Sequence, residues 1–299
     1  MMVNALFGRL LMVLLAGLSL SACSPLGLVD ALTPRETYRA IGAVAYGASE
    51  RQRLDVYLPL PQGAVPTSAI PVVVFFYGGS WQNGDRADYR FVGEALASRG
   101  FMVIVPDYRT YPEVTFPTFV DDAALAVRWA RGHAREYGAD PERLFLMGHS
   151  AGAQIVALLA TDATYLRANG LRQCDIAGVI GLAGPYDFLP LHSAVLGRIF
   201  PVSVRLASQP IHFVTGEEPP MFLGVGDTDT VVDPGNTERF AQRLRMYGSE
   251  VQEHHYPVGH AMMIGAVSAP LRSVAPVLDD IVAYVNSSAG HASADRCRS

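Results

Sequence analysis

The sequence predicts an α/β fold: a mostly parallel, doubly wound sheet with helices on both faces and little or no cap domain. Three observations carry that expectation. Short apolar runs rich in Val, Ile, Leu and Phe recur at residues 72–77, 101–105, 144–147, 176–182 and 221–225. They are continuous rather than alternating, as strands buried on both faces are. Helical stretches alternate with them, the pattern of βαβ units. The 299 residues are 50% hydrophobic and 17% charged, enough for the core of one large domain.

Taken in order, residues 1–22 read as a targeting segment outside the fold. They carry one charge, Arg9, followed by an apolar run over 10–20 that is shorter than the ~20 residues a spanning helix needs. The run ends in Leu20-Ser21-Ala22-Cys23, which resembles the lipobox of bacterial lipoprotein signal peptides. That resemblance implies cleavage before Cys23, a lipid on Cys23, and a place in the bacterial cell envelope; Ser24, rather than Asp, favours the outer membrane. Several acyl chains would hold such an anchor stably, where one binds only marginally. Residues 23–34 read as a tether, 35–286 as the folded domain and 287–299 as a polar tail. In an oxidising compartment the two remaining cysteines, Cys174 and Cys297, either form a disulfide or stay as free thiols.

Within the domain, 38–46 and 54–58 are β-rich and form an antiparallel start to the sheet. A Pro/Gly/Ser-rich loop over 59–71 leads to the first buried strand. Helices are expected at 89–98 and 119–137, stopped by Gly100 and Gly138. Further helices are expected from 151, over 238–247 and within 271–285, with a last short strand over 251–256.

The chemistry centres on Gly148-His149-Ser150-Ala151-Gly152. It is G-x-S-x-G between an apolar strand and a small-residue helix, the context in which this motif presents a serine nucleophile. The turn is sharp, and glycines two residues to either side keep the neighbouring chain clear of it. The helix that begins there directs its N-terminal N–H groups at the reacting centre.

A serine nucleophile needs a base, and the base an orienting carboxylate. Three acids stand on the loop after the 221–225 strand: Asp227, Asp229 and Asp233. That loop is at a strand's C-terminal end, where open α/β sheets place their sites. The downstream histidines are His254, His255, His260 and His291. His254 and His255 lie within a strand, so one of them points away from any loop-built site; His291 is in the polar tail. His260 follows Gly259 just past the last strand and can reach across the top of the sheet. An acyl-transfer site also needs oxyanion donors. Tyr77-Gly78-Gly79-Ser80-Trp81 follows the first buried strand, and its N–H groups, with that of Ala151, are the candidates.

These blocks resemble the α/β-hydrolase superfamily over about residues 54–285. The likeness is greatest to its carboxylesterase branch of hormone-sensitive-lipase-like esterases, kynurenine formamidases and isoprenylcysteine methylesterases. Tyr77–Trp81 corresponds to the H-G-G-x-W oxyanion segment. Asp107-Tyr108-Arg109, Phe116-Pro117, Asp121-Asp122 and Trp129 correspond to the D-Y-R…F-P…D…W block. The resemblance implies Ser150, Asp229 and His260 as the catalytic triad. Asp229 is preferred because it stands two residues before Val231-Val232, as in G-x-x-D-x-V-V. It implies Gly78, Gly79, Ser80 and Ala151 as the oxyanion hole. Tyr77 departs from the family's His, a residue with a structural role. The segment between Tyr186 and Pro219 is short, so any cap is modest; Asp187, Leu191 and His192 lie there, either reaching the pocket entrance or, as the preferred reading, as surface residues on a short helix. Trp81 and His149 are expected at the substrate pocket.

The implied function is hydrolysis of carboxylic esters, on short-chain or aryl substrates. Amide hydrolysis by the same triad is the alternative, and a non-catalytic binding protein on a hydrolase scaffold is the third reading. No cofactor or metal is expected, since no His/Cys cluster has ligand spacing. The expected partners are a small-molecule ester and, through the anchor, a membrane. Net charge is −5 with no basic run, so nucleic acid is not expected. Oligomeric state is not legible.

Overall fold

The computed structural model describes residues 25–60 and 70–288. In chain order these form α1 (Pro25–Ala31), β1 (Tyr38–Ala45), β2 (Arg53–Pro59), β3 (Ile70–Phe76), α2 (Arg90–Ala97), β4 (Met102–Pro106) and α3 (Thr118–His133). They continue with β5 (Ala139–His149), α4 (Ala151–Thr161), α5 (Ala163–Ala168), β6 (Gly178–Leu182), α6 (Ala194–Ile199), β7 (Met221–Gly226), α7 (Gly235–Met246), β8 (Val251–Tyr256), α8 (His260–Gly265) and α9 (Val277–Ser288).

The eight strands make one sheet in the order β1-β2-β4-β3-β5-β6-β7-β8. β1, β2 and β4 pair antiparallel, and every pair from β4 through β8 is parallel. The pattern of side chains explains the order. β4, β6 and β7 are buried along their whole length, and β3 beyond its first residue. Each fully buried Val, Leu or Phe there contributes about 1.5–3 kcal/mol relative to exposure. β1 and β8 are partly exposed along most of their length, and β8 carries Gln252, Glu253, His254 and His255. Charged and polar side chains of this kind protect a sheet edge from further pairing.

Three elements differ from the sequence expectation. β5 starts at Ala139, five residues before the apolar run, because the polar stretch Asp140–Arg143 still extends alongside β3, with Ile70 opposite Ala139. The helix expected to reach 137 is α-helical only to His133 and tightens to a 3-10 turn over Ala134–Tyr137, ending on Gly138 at φ +77°. The stretch read as a tether contains α1, which packs against the Arg86–Tyr89 turn and α2. Arg90 Nη2 donates there to both the carboxylate and the carbonyl of Asp30 (2.7 and 2.6 Å).

Between β6 and β7 the chain runs over the C-terminal edge of the sheet as α6 and short 3-10 turns at Val202–Val204, Leu206–Ser208 and Pro210–Phe213. This strap is pinned to α3 from above: Phe116 N–H donates to Ile199 C=O (3.1 Å), and Phe200 packs among Phe116, Phe119, Trp81 and Phe188.

Candidate active site

The loops after β3, β5, β7 and β8 meet at the C-terminal edge of the parallel strands, the edge where open α/β sheets build sites. Ser150 stands between β5 and α4 with a positive φ of 55°. Its N–H donates to Leu182 C=O at the end of β6 (2.9 Å), which holds the turn against its neighbour strand. The flanking glycines are demanded by contact. A Cβ on Gly148 would lie 2.3 Å from Gly152 O, and one on Gly152 would lie 2.0 Å from Phe76 O.

Ser150 Oγ donates to His260 Nε2 (2.9 Å), and His260 Nδ1–H donates to Asp229 Oδ2 (2.7 Å). Asp229 is buried, and its other oxygen accepts the Val231 and Val232 N–H groups (2.8 and 2.9 Å). The Val-Val pair thus fixes the carboxylate through its backbone. The acid and base loops are also joined directly: Asp227 N–H donates to Tyr256 C=O (2.9 Å) and Thr228 N–H to Val258 C=O (3.3 Å).

The other candidate acids and the described downstream histidines do not join the Ser150–His260 line, although Asp233 lines the same cavity. Asp227 accepts from His255 Nδ1 (2.7 Å) at the exposed surface, and that contact holds the His255 imidazole above its usual pKa. Asp233 Oδ1 accepts from Gly235 N–H (3.1 Å) at the start of α7. His254 stacks on Phe222, ring centroids 4.6 Å apart. His291, Cys23 and Cys297 lie outside the described residues; Cys174 is disulfide-bonded.

The candidate oxyanion loop lies against Ser150. A Cβ on Gly78 would sit 2.9 Å from Ser150 Cβ, and one on Gly79 (φ +125°) would sit 2.1 Å from Asn83 O. Ser80 and Trp81 follow with φ 53° and 59°, a turn that places both on the pocket wall. Ala151 is the first residue of α4, so its N–H has no acceptor within the helix. Tyr77 fills the family's His position as a structural residue. It stacks between Tyr89 and Tyr108, donates to Asp107 Oδ1 (2.7 Å), and accepts from Arg51. Asp107 in turn pairs with Arg86, which fixes the loop from both sides.

In front of Ser150 is a cavity of about 480 Å³. Trp81 is both wall and packing residue: its indole N–H donates to the buried Gln154 Oε1 (3.1 Å) while its ring stacks on Phe188. His149 is a correction. It does not line the cavity, because the turn at Ser150 sends its ring behind the base. His149 Nε2–H donates to the His260 backbone carbonyl (3.0 Å), and its Nδ1 is buried without a hydrogen-bond partner. Burial, reinforced by the adjacent His260, pushes the His149 imidazole down to about 3, so it is neutral. Asp187, Leu191 and His192, read as surface residues, do line the cavity, as do Phe188, Asn236 and Arg239. Asn236 and Arg239 carry the one signal available in the sequence, an i, i+3 polar pair at the start of a helix just after the acid loop.

Known proteins share both sequence and architecture with this chain. The isoprenylcysteine alpha-carbonyl methylesterase ICME of Arabidopsis thaliana is 30% identical over 267 residues, covering 82% of this chain and 61% of that protein. Esterase LipC of Mycobacterium tuberculosis is 30% identical over 222 residues, covering 68% and 54%. The chain thus spans about half to three-fifths of the length of the curated relatives it matches. Among solved structures, a truncated carbohydrate esterase from gut microbiota superposes with a TM-score of 0.72 at 21% identity, over 86% of this chain and 99% of that one. The eight-stranded sheet and its crossovers are those of an α/β-hydrolase. The BD-FAE family model matches residues 54–244, from β2 to α7, and the chain belongs to the BD-FAE family.

Proposed function

We propose that this protein hydrolyses carboxylic esters through a covalent acyl-enzyme on Ser150. The observation that carries the reading is the hydrogen-bonded line Ser150–His260–Asp229 opening onto the 480 Å³ cavity. Names of the relatives point the same way: they are esterases and methylesterases. In the proposed mechanism His260 Nε2 takes the Ser150 proton as Oγ attacks the acyl carbon, then returns it to the leaving alcohol. Asp229 holds His260 in the tautomer with Nδ1–H and stabilises the imidazolium. The N–H groups of the Gly78–Ser80 loop and of Ala151 receive the tetrahedral oxyanion. Water, activated by His260, then releases the acid.

The cavity is walled by Trp81, Phe188, Leu191 and Leu196, which suits short-chain acyl or aryl groups. On the sequence alone we also propose that Cys23 is lipidated and that the protein is held at the bacterial cell envelope.

A fluorophosphonate probe should label the wild type and not Ser150→Ala. Ser150→Ala and His260→Ala should each lower kcat by about 10³ or more on p-nitrophenyl esters of graded chain length. A folded wild type that neither labels nor turns over any ester would end the reading. Full activity in Asp229→Asn with loss in Asp227→Asn would move the acid. Matched esters and anilides separate ester from amide preference.

A further inference from the structure

Resting on the esterase reading, we infer that the pocket selects esters bearing no negative charge near the reacting group. Asp187, Asp233 and Arg239 set that selection. All three line the cavity in front of Ser150.

An arginine on an ester pocket would ordinarily anchor a substrate carboxylate, since its fork of donors matches that group. Here that fork is already partly held by two acidic residues. Arg239 Nε donates to Asp187 Oδ2 (2.6 Å), Nη2 donates to the Asp187 carbonyl (3.0 Å), and Nη1 faces Asp233 Oδ2 at 3.8 Å. Both partners are themselves held. Asp187 N–H donates to Asn236 Oδ1 (3.0 Å), one helical turn from Arg239, and Asp233 Oδ1 accepts from Gly235 N–H. Two carboxylates share one guanidinium, so this part of the wall carries a net negative charge. The other ionisable side chain on the lining is His192.

An incoming carboxylate would therefore lose hydration against Trp81, Phe188 and Leu196, find Arg239 already paired with Asp187 and Asp233, and face excess negative charge. A neutral ester meets neither the charge nor that loss of hydration. Asp229, the remaining nearby carboxylate, is buried on His260.

The test is a ratio of kcat/KM values within each variant of the full chain at pH 8, so any misfolded fraction cancels. One substrate pair places the charge on the acyl side, p-nitrophenyl pentanoate against mono-p-nitrophenyl glutarate. The other places it on the alcohol side, phenyl butyrate against 4-carboxyphenyl butyrate. Wild type should turn over the carboxylated member at least about tenfold less efficiently in one pair or both. In the double variant Asp187→Asn, Asp233→Asn that ratio should narrow at least threefold, and in Arg239→Gln it should widen. Equal or faster turnover of both carboxylated esters by wild type would overturn the inference. So would ratios that do not change in the variants, because the discrimination would then come from the apolar wall alone. If no ester of either pair is turned over, the esterase reading fails, and the charge selection falls with it.

Discussion

His149 is next to Ser150 in sequence, but its ring lies behind His260. Its Nε2–H holds the backbone carbonyl of His260, and its bare Nδ1 lies 3.2 Å from where a Gly78 Cβ would stand. One imidazole therefore touches the loops that carry the base and the candidate oxyanion amides. Burial pushes it down from its usual 6.5 to about 3. Well above pH 6.5 it is uncharged whether the chain is folded or not. Below about pH 6.5 the unfolded chain takes up a proton that the native state refuses until about pH 3. Stability is thus lost as pH falls through that window, by up to about 1.4 kcal/mol per pH unit. His149→Gln should flatten the fall in urea midpoint between pH 7.5 and pH 4.5; an unchanged fall would show that His149 does not refuse the proton. Periodicity could not reveal this placement, because a side chain on a strained turn follows neither helix nor strand direction. By contrast the G-x-x-D-x-V-V resemblance already set Asp229 apart from Asp227 and Asp233. In the structure the Val231 and Val232 N–H groups hold the Asp229 carboxylate, while Asp227 pairs with His255 and Asp233 with the Gly235 N–H and Arg239.

At the scale of elements, the continuous apolar strands were legible because burial on both faces leaves no alternation to confuse. The strap over 187–213 was not. Its turns are short and irregular, and its wall residues face inward only because Phe200 is pinned among Phe116, Phe119 and Trp81. The early start of β5 was hidden by the charged stretch Asp140–Arg143, whose backbone pairs while its side chains read as loop. Another element contact has a measurable weight. Buried Asp122 on α3 accepts from Arg109 N–H, Nε and Nη2 and from Gln52 Nε2, at 2.7–2.9 Å. It ties the loop after β4 to α3 and to the turn before β2. Asp122→Ala strands both partners and should cost about 3 kcal/mol in urea unfolding. A loss under 1 kcal/mol would mean that the loop holds without it. Because Asp122 lies off the pocket, kcat per folded molecule should stay within a few-fold of wild type.

For the whole molecule, strand order followed from the sequence only up to its class. Alternating strands and helices give a parallel sheet, while the exchange of β3 and β4 in the order is a tertiary fact. The proposed anchor is tested at this scale. Cys23→Ser should move the protein from the membrane fraction to the soluble one in a cell-fractionation blot, and an unchanged distribution would exclude lipidation at that residue. The docked helix α1 then has a mechanical meaning. Tension on the N-terminus would enter through Asp30 and Arg90 into α2, which packs on β2 and β4. The acid and base hang from β7 and β8, at the opposite end of the sheet. Were the proposed anchor in place, a pull on it would strain the antiparallel strands first, and the Ser150–His260–Asp229 line would keep its alignment under load.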